Sequence, residues 1–479
     1  MSSVIAIVVS RADSASVHVG DHLLDLADWE TREDDSRPDA EGGGTYYRRE
    51  GFELREFDAL HLDVENAASA FSGPNADADS GTDAQSRSET DASTRPETDA
   101  STRPDLLVFV SRHSGDTGPL LTAHFTGNFG PAKYGGESGA LAAACPNAHA
   151  RLLDRFEVHA PEGYAVGTEC THHGPSEVGV PSLFAELGSD EPQWDDPEGA
   201  RAVARAVLDL QGVDPHRERQ LVGFGGGHYA PRFERIQRET DWAVGHVGAD
   251  WTLDAMGAPE QNRDVIARAF ERSRADRAVI EGDRPELASV VADLGYEVAS
   301  ETWVRETTGV PLELVESLET DLAGIEAGLR FGEPAREAEL GGDAPDYELV
   351  DLPAELLAEA HGVDPEATRE VVAAHALAFE TEQAGTRAAG RAAVGDPAGR
   401  EALVDGLADV LAGKYDSVAR EDGAVVARRT AFDPERAREL GVPEGPAFGK
   451  LSAGEPVTVD GEAVAPEAVR RERTREFPV

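Results

Sequence analysis

Lysine is almost missing from this chain: it occurs only at Lys133, Lys414 and Lys450, so nearly all of the 44 basic side chains are arginine. Basic residues of either kind are outnumbered by 92 acidic ones, which leaves a formal net charge of -48. Acidity spread over a whole sequence keeps a surface hydrated at molar salt, where a Debye length of roughly 3 Å screens the self-repulsion. The composition therefore reads as salt adaptation, not as one acidic binding face. It also weakens the usual argument from net charge against a nucleic-acid partner, because only a local cluster of cations in a cleft would count.

Cysteine is scarce too. Cys145 and Cys170 make no disulfide framework, which excludes a disulfide-stapled scaffold and fits a reducing compartment. No stretch approaches the 18 apolar residues of a membrane span. The opening run Val4-Ile5-Ala6-Ile7-Val8-Val9 is too short for a signal peptide and reads as a buried strand. A cytoplasmic monomer is expected.

With 479 residues and 40% apolar content, the chain exceeds one ordinary core, and two domains are expected. Segment 66–104 contains no Val, Ile or Leu, and its octad Glu-Thr-Asp-Ala-Ser-Thr-Arg-Pro occurs twice, at 89–96 and 97–104. Such a segment cannot offset its ordering entropy by burial and is expected to be a disordered insertion. A shorter acidic, glycine-rich loop is expected at 30–44. Strand patterns recur at 106–110, 120–125, 164–169, 220–224 and 242–247, with helical patterns at about 137–145, 197–212, 228–239 and 258–274. That alternation predicts an α/β sheet with helices on both faces and a ligand beyond the carboxyl ends of its strands. Residues 276–330 complete a core domain over 1–335. The composition then shifts to Ala, Glu and Gly, with helical patterns at 353–361, 364–382 and 397–413. A smaller helical or α+β domain is expected at 340–479.

His124, His172, His173, His228 and His246 all fall at expected strand ends. One such histidine is usually a hydrogen-bonded structural residue; five on one edge suggest chemistry. Thr168-Glu169-Cys170-Thr171-His172-His173-Gly174-Pro175 gathers a carboxylate, a thiol and two imidazoles. If that stretch is a strand, only one of His172 and His173 enters a given site. Gly225-Gly226-Gly227-His228-Tyr229-Ala230-Pro231-Arg232 reads as a tight strand-to-helix connection, with His228 and Arg232 one turn apart. It is not a dinucleotide fingerprint, since His228 stands where the third glycine belongs. Imidazoles with Glu or Cys are zinc-ligand types, and zinc with an open position yields a nucleophilic water near neutral pH. The spacing fixes no metal, because neither His-Glu-x-x-His nor Cys-x-x-Cys occurs. The glycine-rich loop 127–138 carries Lys133 and Tyr134 and precedes an expected helix, a setting that suits a phosphate.

Four of these stretches, His124-Phe125-Thr126-Gly127-Asn128, Tyr134-Gly135-Gly136, Thr171 to Pro175 and Gly226 to Arg232, together resemble the archaeal and plant type of D-aminoacyl-tRNA deacylase. The likeness covers about residues 3–30 and 105–275. It implies hydrolysis of the ester between a D-amino acid and the tRNA 3′ adenosine, with zinc as cofactor. It also implies an α/β/α fold similar to peptidyl-tRNA hydrolases and phosphorylase-like proteins. The resemblance does not say which of these residues bind metal; from their placement at strand ends, His172, His173 and His228 are the catalytic candidates, and His124, Glu137, His172 and His228 the metal ligands, with Glu169 and His246 in reserve. Lys133, Tyr134, Gly226, Gly227 and Arg232 are expected to meet the tRNA 3′ end.

The C-terminal region departs from the family's compact form. Its stretch from Leu440 to Thr458 is similar to part of the tRNA 3′-processing endonuclease, but the nuclease metal motif is missing. With Arg470, Arg471, Arg473 and Arg475, it could touch tRNA. Two other readings stay open, a nucleoside phosphorylase or nucleosidase and a non-catalytic tRNA-binding module.

Overall fold

A computed structural model describes residues 4–71, 103–338, 345–395 and 397–479. They form two compact units, Met1–Arg305 and Glu306–Val479. The division falls earlier than the expected 335, because Arg330–Phe331 pairs with Ala378–Glu382 and so belongs to the second unit's sheet.

The first unit is mixed α/β and holds two sheets instead of the one expected. The larger contains β1 (Ile5–Ser10), β2 (Glu30–Asp34), β3 (Gly44–Arg49), β4 (Phe52–Phe57), β5 (Leu106–Arg112), β6 (Leu120–His124), β7 (Ala165–Thr168) and β8 (Ser182–Gly188), in the order β2-β3-β4-β1-β5-β8-β6-β7. Strands β4, β1, β5 and β8 run parallel, whereas β6 runs against β8 and β7 follows β6. The smaller sheet is all parallel and consists of β9 (Gln220–Phe224), β10 (Ala243–Gly248), β11 (Arg277–Ile280) and β12 (Glu297–Val298).

Side-chain alternation gives the larger sheet two different faces. Ile5, Ile7 and Val9 meet the apolar stripes of α1 (Ser14–Asp25), α2 (Pro146–His159) and α4 (Pro197–Leu208), with the short α3 (Glu191–Trp194) before the last. Asp13 starts α1 by accepting from the N–H groups of Ala15 and Ser16. Ala6, Val8, Leu107, Phe109 and Phe184 face the other way, onto the 3-10 turns His61–Asp63 and Ala67–Phe71 and the loop residues Ala142, Val178 and Val180. Helices therefore cover one face and loops the other, not helices both. In the smaller sheet, α5 (Pro231–Glu239), α7 (Arg263–Ser273) and α8 (Pro285–Asp293) pack around the strands, and α6 (Asp250–Met256) follows β10.

Two expectations about order fail here. Ala67, Ala68, Ala70 and Phe71 are buried, so the start of the expected insertion packs into the core. Residues 72–102 of that insertion lie outside the described ones. Residues 137–145 form no helix. Gly135, Gly136 and Gly139 have φ of +69°, +76° and +66°, and Asn128 N–H and Ala142 N–H bond across to Ala140 and Thr126 carbonyls. The helix begins only at Pro146, which presets the first helical φ.

The second unit is α+β. Residues Arg330–Phe331, Ala378–Glu382, Arg387–Val394 and Glu348–Asp351 form an antiparallel sheet under Ala354–Val363, Pro365–His375 and Pro397–Leu411. The helix expected over 364–382 ends at His375, and Ala378–Glu382, which carries Phe379 and Thr381, pairs as a strand. Residues 470–478 form an edge strand against Ala424–Phe432, and there Arg475 is ion-paired with Glu359. Among the described residues no helix is long and apolar enough to cross a membrane.

Candidate active site

Since β6 runs against β8, the site lies on the loop-covered face of the larger sheet and not at one row of carboxyl ends. Phe184 and Glu186 of β8, Ser111 of β5 and His124 of β6 meet there. Phe184 stacks on Phe109 and His124 at centroid distances of 4.9 and 5.0 Å, and Ser111 Oγ donates to Glu186 Oε1 at 2.8 Å. The segment after β7 is extended loop and not strand, so both His172 and His173 turn inward, against expectation. Gly174 permits this: a Cβ there would lie 2.4 Å from the backbone of Gly135 and Gly136. His228 enters from the β9–α5 loop, whose carbonyl accepts the Cys170 N–H at 2.8 Å.

The imidazoles of His124, His172 and His173 lie 4.5 to 4.8 Å apart between centroids, and their donor nitrogens lie within 4.8 Å of one another. Each ring's Nδ1 faces a backbone carbonyl, of Phe125 at 2.9 Å, Cys170 at 2.8 Å and Gly174 at 2.9 Å respectively. A carbonyl only accepts, so Nδ1 carries the proton and Nε2 of each neutral ring keeps its lone pair. Burial and the neighbouring rings push His172 well below the usual imidazole range and His173 down to about 4. Nε2 of the fully buried His124 has no hydrogen-bond partner and lies 3.5 Å from Glu186 Oε1. His172 and His173 are thus neutral; burial opposes protonation of His124 beside them, but Glu186 raises its pKa. Three clustered imidazoles with outer carbonyl bonds are a donor set that fits zinc.

Beside them stands a buried charged group. His113 Nδ1 lies 3.0 Å from Glu169 Oε1 and 3.6 Å from Glu186 Oε2, and its Nε2 lies 3.2 Å from Tyr229 Oη. Burial opposes its protonation, but the two carboxylates win and raise its pKa to about 10. Against the same desolvation, His113 and His228 hold Glu169 well below the carboxylate range, and His113 and His124 do so for Glu186. His228 Nε2 meets Glu169 Oε2 at 2.7 Å, and 31% of the His228 side chain is exposed. A cavity of about 490 Å³ lined by Tyr134, His61, His113, Glu169, His172, His173, Glu186 and His228 opens on the group.

The family model for D-aminoacyl-tRNA deacylase matches residues 100–299. The chain is 58% identical to the D-aminoacyl-tRNA deacylase of Halorubrum lacusprofundi, over 99% of this chain and 97% of that one. It is 55% identical to the enzyme of that name from Natronomonas pharaonis, over 99% of both. The chain belongs to the D-aminoacyl-tRNA deacylase family. A solved structure, of a conserved protein of unknown function, matches 64% of this chain and 98% of its own length at 25% identity and a TM-score of 0.53. The second unit is shared with these two deacylases, so relative to them it is no extension.

Within this deacylase-family chain the expected residues part company. His124, His172, His173, His228 and Glu169 come together, and Tyr134 lines their cavity. Glu137 does not join them. It is exposed and lines a separate cleft of about 1090 Å³. His246 is buried and structural, its ring nitrogens bonded to Thr171 Oγ1 and the Ala142 carbonyl, each at 2.9 Å. Lys133 is exposed on a loop with no helix behind it, so the dipole argument for phosphate lapses there. His228 precedes α5 and does not share a face with Arg232, which is paired with Glu301 at 2.9 Å. Gly226 donates its N–H to Asp250 at 2.9 Å; its φ of +80° turns the loop. Gly227 is exposed.

Cys170 Sγ lies 3.6 Å from His228 Nδ1, which gives the outline of a Cys–His–Glu triad. The thiol is buried, and desolvation plus Glu169 push its pKa up to about 12. A nucleophilic cysteine needs the opposite shift. Cys170→Ala should therefore keep deacylation within about tenfold of the parent, whereas loss of a nucleophile costs orders of magnitude more. Initial rates at saturating substrate check this, and an inactive variant would restore cysteine chemistry.

Proposed function

We propose that this protein hydrolyses the ester joining a D-amino acid to the 3′-terminal ribose of tRNA, releasing free D-amino acid and tRNA in the cytoplasm. Such an activity removes mischarged D-residues before translation. The observation that carries the reading is the trio His124, His172 and His173, set beside an ionised Glu169 that is hydrogen-bonded to His228 at 2.7 Å. His124, His172 and His173 are the residues that would hold zinc, with Glu169 and Glu186 nearby. Bound there, zinc supplies Lewis acidity for the ester carbonyl and for water.

The chain's own groups handle the proton. Glu169 holds His228 Nε2–H, so Nδ1 is the nitrogen that accepts. His228 takes a proton from the attacking water as its oxygen bonds to the carbonyl carbon. It returns that proton to the ribose oxygen when the ester C–O bond breaks. Glu169 and Glu186, both ionised, stabilise the imidazolium at His113 throughout. His172 and His173 thus serve as ligands, and the acid–base role falls to His228.

The test is deacylation of D- and L-tyrosyl-tRNA at molar salt. Cleavage of the D-ester at least about tenfold faster is expected; equal rates, or cleavage of neither, would sink the reading. Neither the phosphorylase or nucleosidase reading nor a non-catalytic tRNA module is favoured once the family is known. Phosphate-dependent release of a free base would reinstate the former.

A further inference from the structure

Among the described residues seven large hydrophobic side chains are exposed, and only two of these are aromatic: Tyr134 at 62% and Trp251 at 44%. Both border the histidine cavity. Tyr134 lines it, and the Trp251 ring lies 6.4 Å from His172 and 6.3 Å from His228, nearly parallel to the latter at 29°. A tryptophan exposes this much apolar area at a cost, and two aromatics at one mouth point to a planar ligand.

Trp251 is also held firmly. It sits in the first turn of α6, next to Asp250, which accepts the Gly226 N–H at 2.9 Å and pairs with Arg284 at 2.6 Å. The ring thus stands on an anchored helix start, beside two imidazoles of the cavity.

We propose that Trp251, together with Tyr134, seats the 3′-terminal nucleobase of the tRNA at the mouth of the cavity. This deepens the deacylase reading and rests on it. The scissile ester and that base hang on one ribose, so a ribose placed at His172 and His228 brings its base to the adjoining ring. Stacking recognises the base whatever amino acid is attached. It also suits the composition. Contacts to phosphate are screened at molar salt, and Arg232 is already paired, whereas a stacked π-face loses little to salt.

The experiment compares two acceptor minihelices, one ending in CCA and one whose last nucleotide lacks its base. Dissociation constants are measured at molar salt for the parent, Trp251→Ala, Trp251→Phe and Tyr134→Ala. Trp251→Ala should weaken the CCA-ended helix about tenfold or more, and Trp251→Phe should bind within about threefold of the parent. The baseless helix should bind the parent as weakly as Trp251→Ala binds the intact one. Equal constants for the two helices would overturn the proposal. So would a Trp251→Ala rise in KM for D-tyrosyl-tRNA without one for D-alanyl-tRNA, which would place the amino-acid side chain on the indole. A parent that binds both helices as expected yet cleaves no D-ester would instead overturn the deacylase reading. Unchanged thermal midpoints confirm folded variants.

Discussion

His172→Ala should lower deacylation of D-tyrosyl-tRNA by about a thousandfold or more while leaving the fold intact. Among the described residues His172 is the one imidazole shared by two donor groups, His124–His172–His173 and Cys170–His172–His228. Loss of an outer hydrogen-bond partner of a metal ligand costs about 10- to 100-fold, and loss of the ligand itself costs more. The neutral ring at this position carries no buried charge, so stability should fall by only a few kcal/mol, as for a large-to-small change. Single-turnover rates and bound zinc should fall together. A variant of near-parental rate would remove His172 from the chemistry.

Glu186→Gln should act chiefly on stability. Glu186 is 4% exposed and faces both His113 and His124, so its neutralisation leaves the buried His113 imidazolium with Glu169 alone. Losing one of two charged partners in this way costs about 1.5–3 kcal/mol. The pH dependence follows from the two kinds of shift. His113 is raised to about 10, so its stabilisation is full below its ordinary 6.5 and is lost as pH rises through 10. Glu169 and Glu186 are lowered, so theirs is full above the ordinary 4.5 and is lost as pH falls below it. The lowered, buried His61, His149, His172, His173 and His246 must be protonated as pH falls below 6.5, so stability should be greatest near 6.5, and the variant should show shallower slopes where Glu186 and His113 titrate. Denaturant midpoints across pH at molar salt measure this; parallel profiles would contradict it.

The site was partly legible because β-strands deliver side chains to loops at their ends. That rule found His124, His172, His173 and His228, and applied evenly it reaches His113 just after Arg112 as well. It overreached at His246, where period-two alternation turns the ring into the protein toward Thr171. Glu186 was hidden inside Leu183-Phe184-Ala185-Glu186-Leu187, a strand interrupted by its own carboxylate. A lone acid within a run bounded by Pro181 and Gly188 was the available signal, since a buried charge there needs a cationic partner. Glu137 was misjudged through a helix that glycines at positive φ forbid. The two-sheet architecture was not legible, because strand order and direction depend on pairings between distant segments. Trp251 carried no sequence signal at all; its meaning comes from the rings it faces.

If hydrolysis depends on a metal held by the imidazole trio, stripping the metal must abolish it. Protein dialysed against a strong chelator at molar salt should lose cleavage of D-tyrosyl-tRNA by about a thousandfold. One equivalent of zinc per site should restore the rate, in the parent but not in His172→Ala. Full activity in chelated protein shown by elemental analysis to be metal-free would contradict the account.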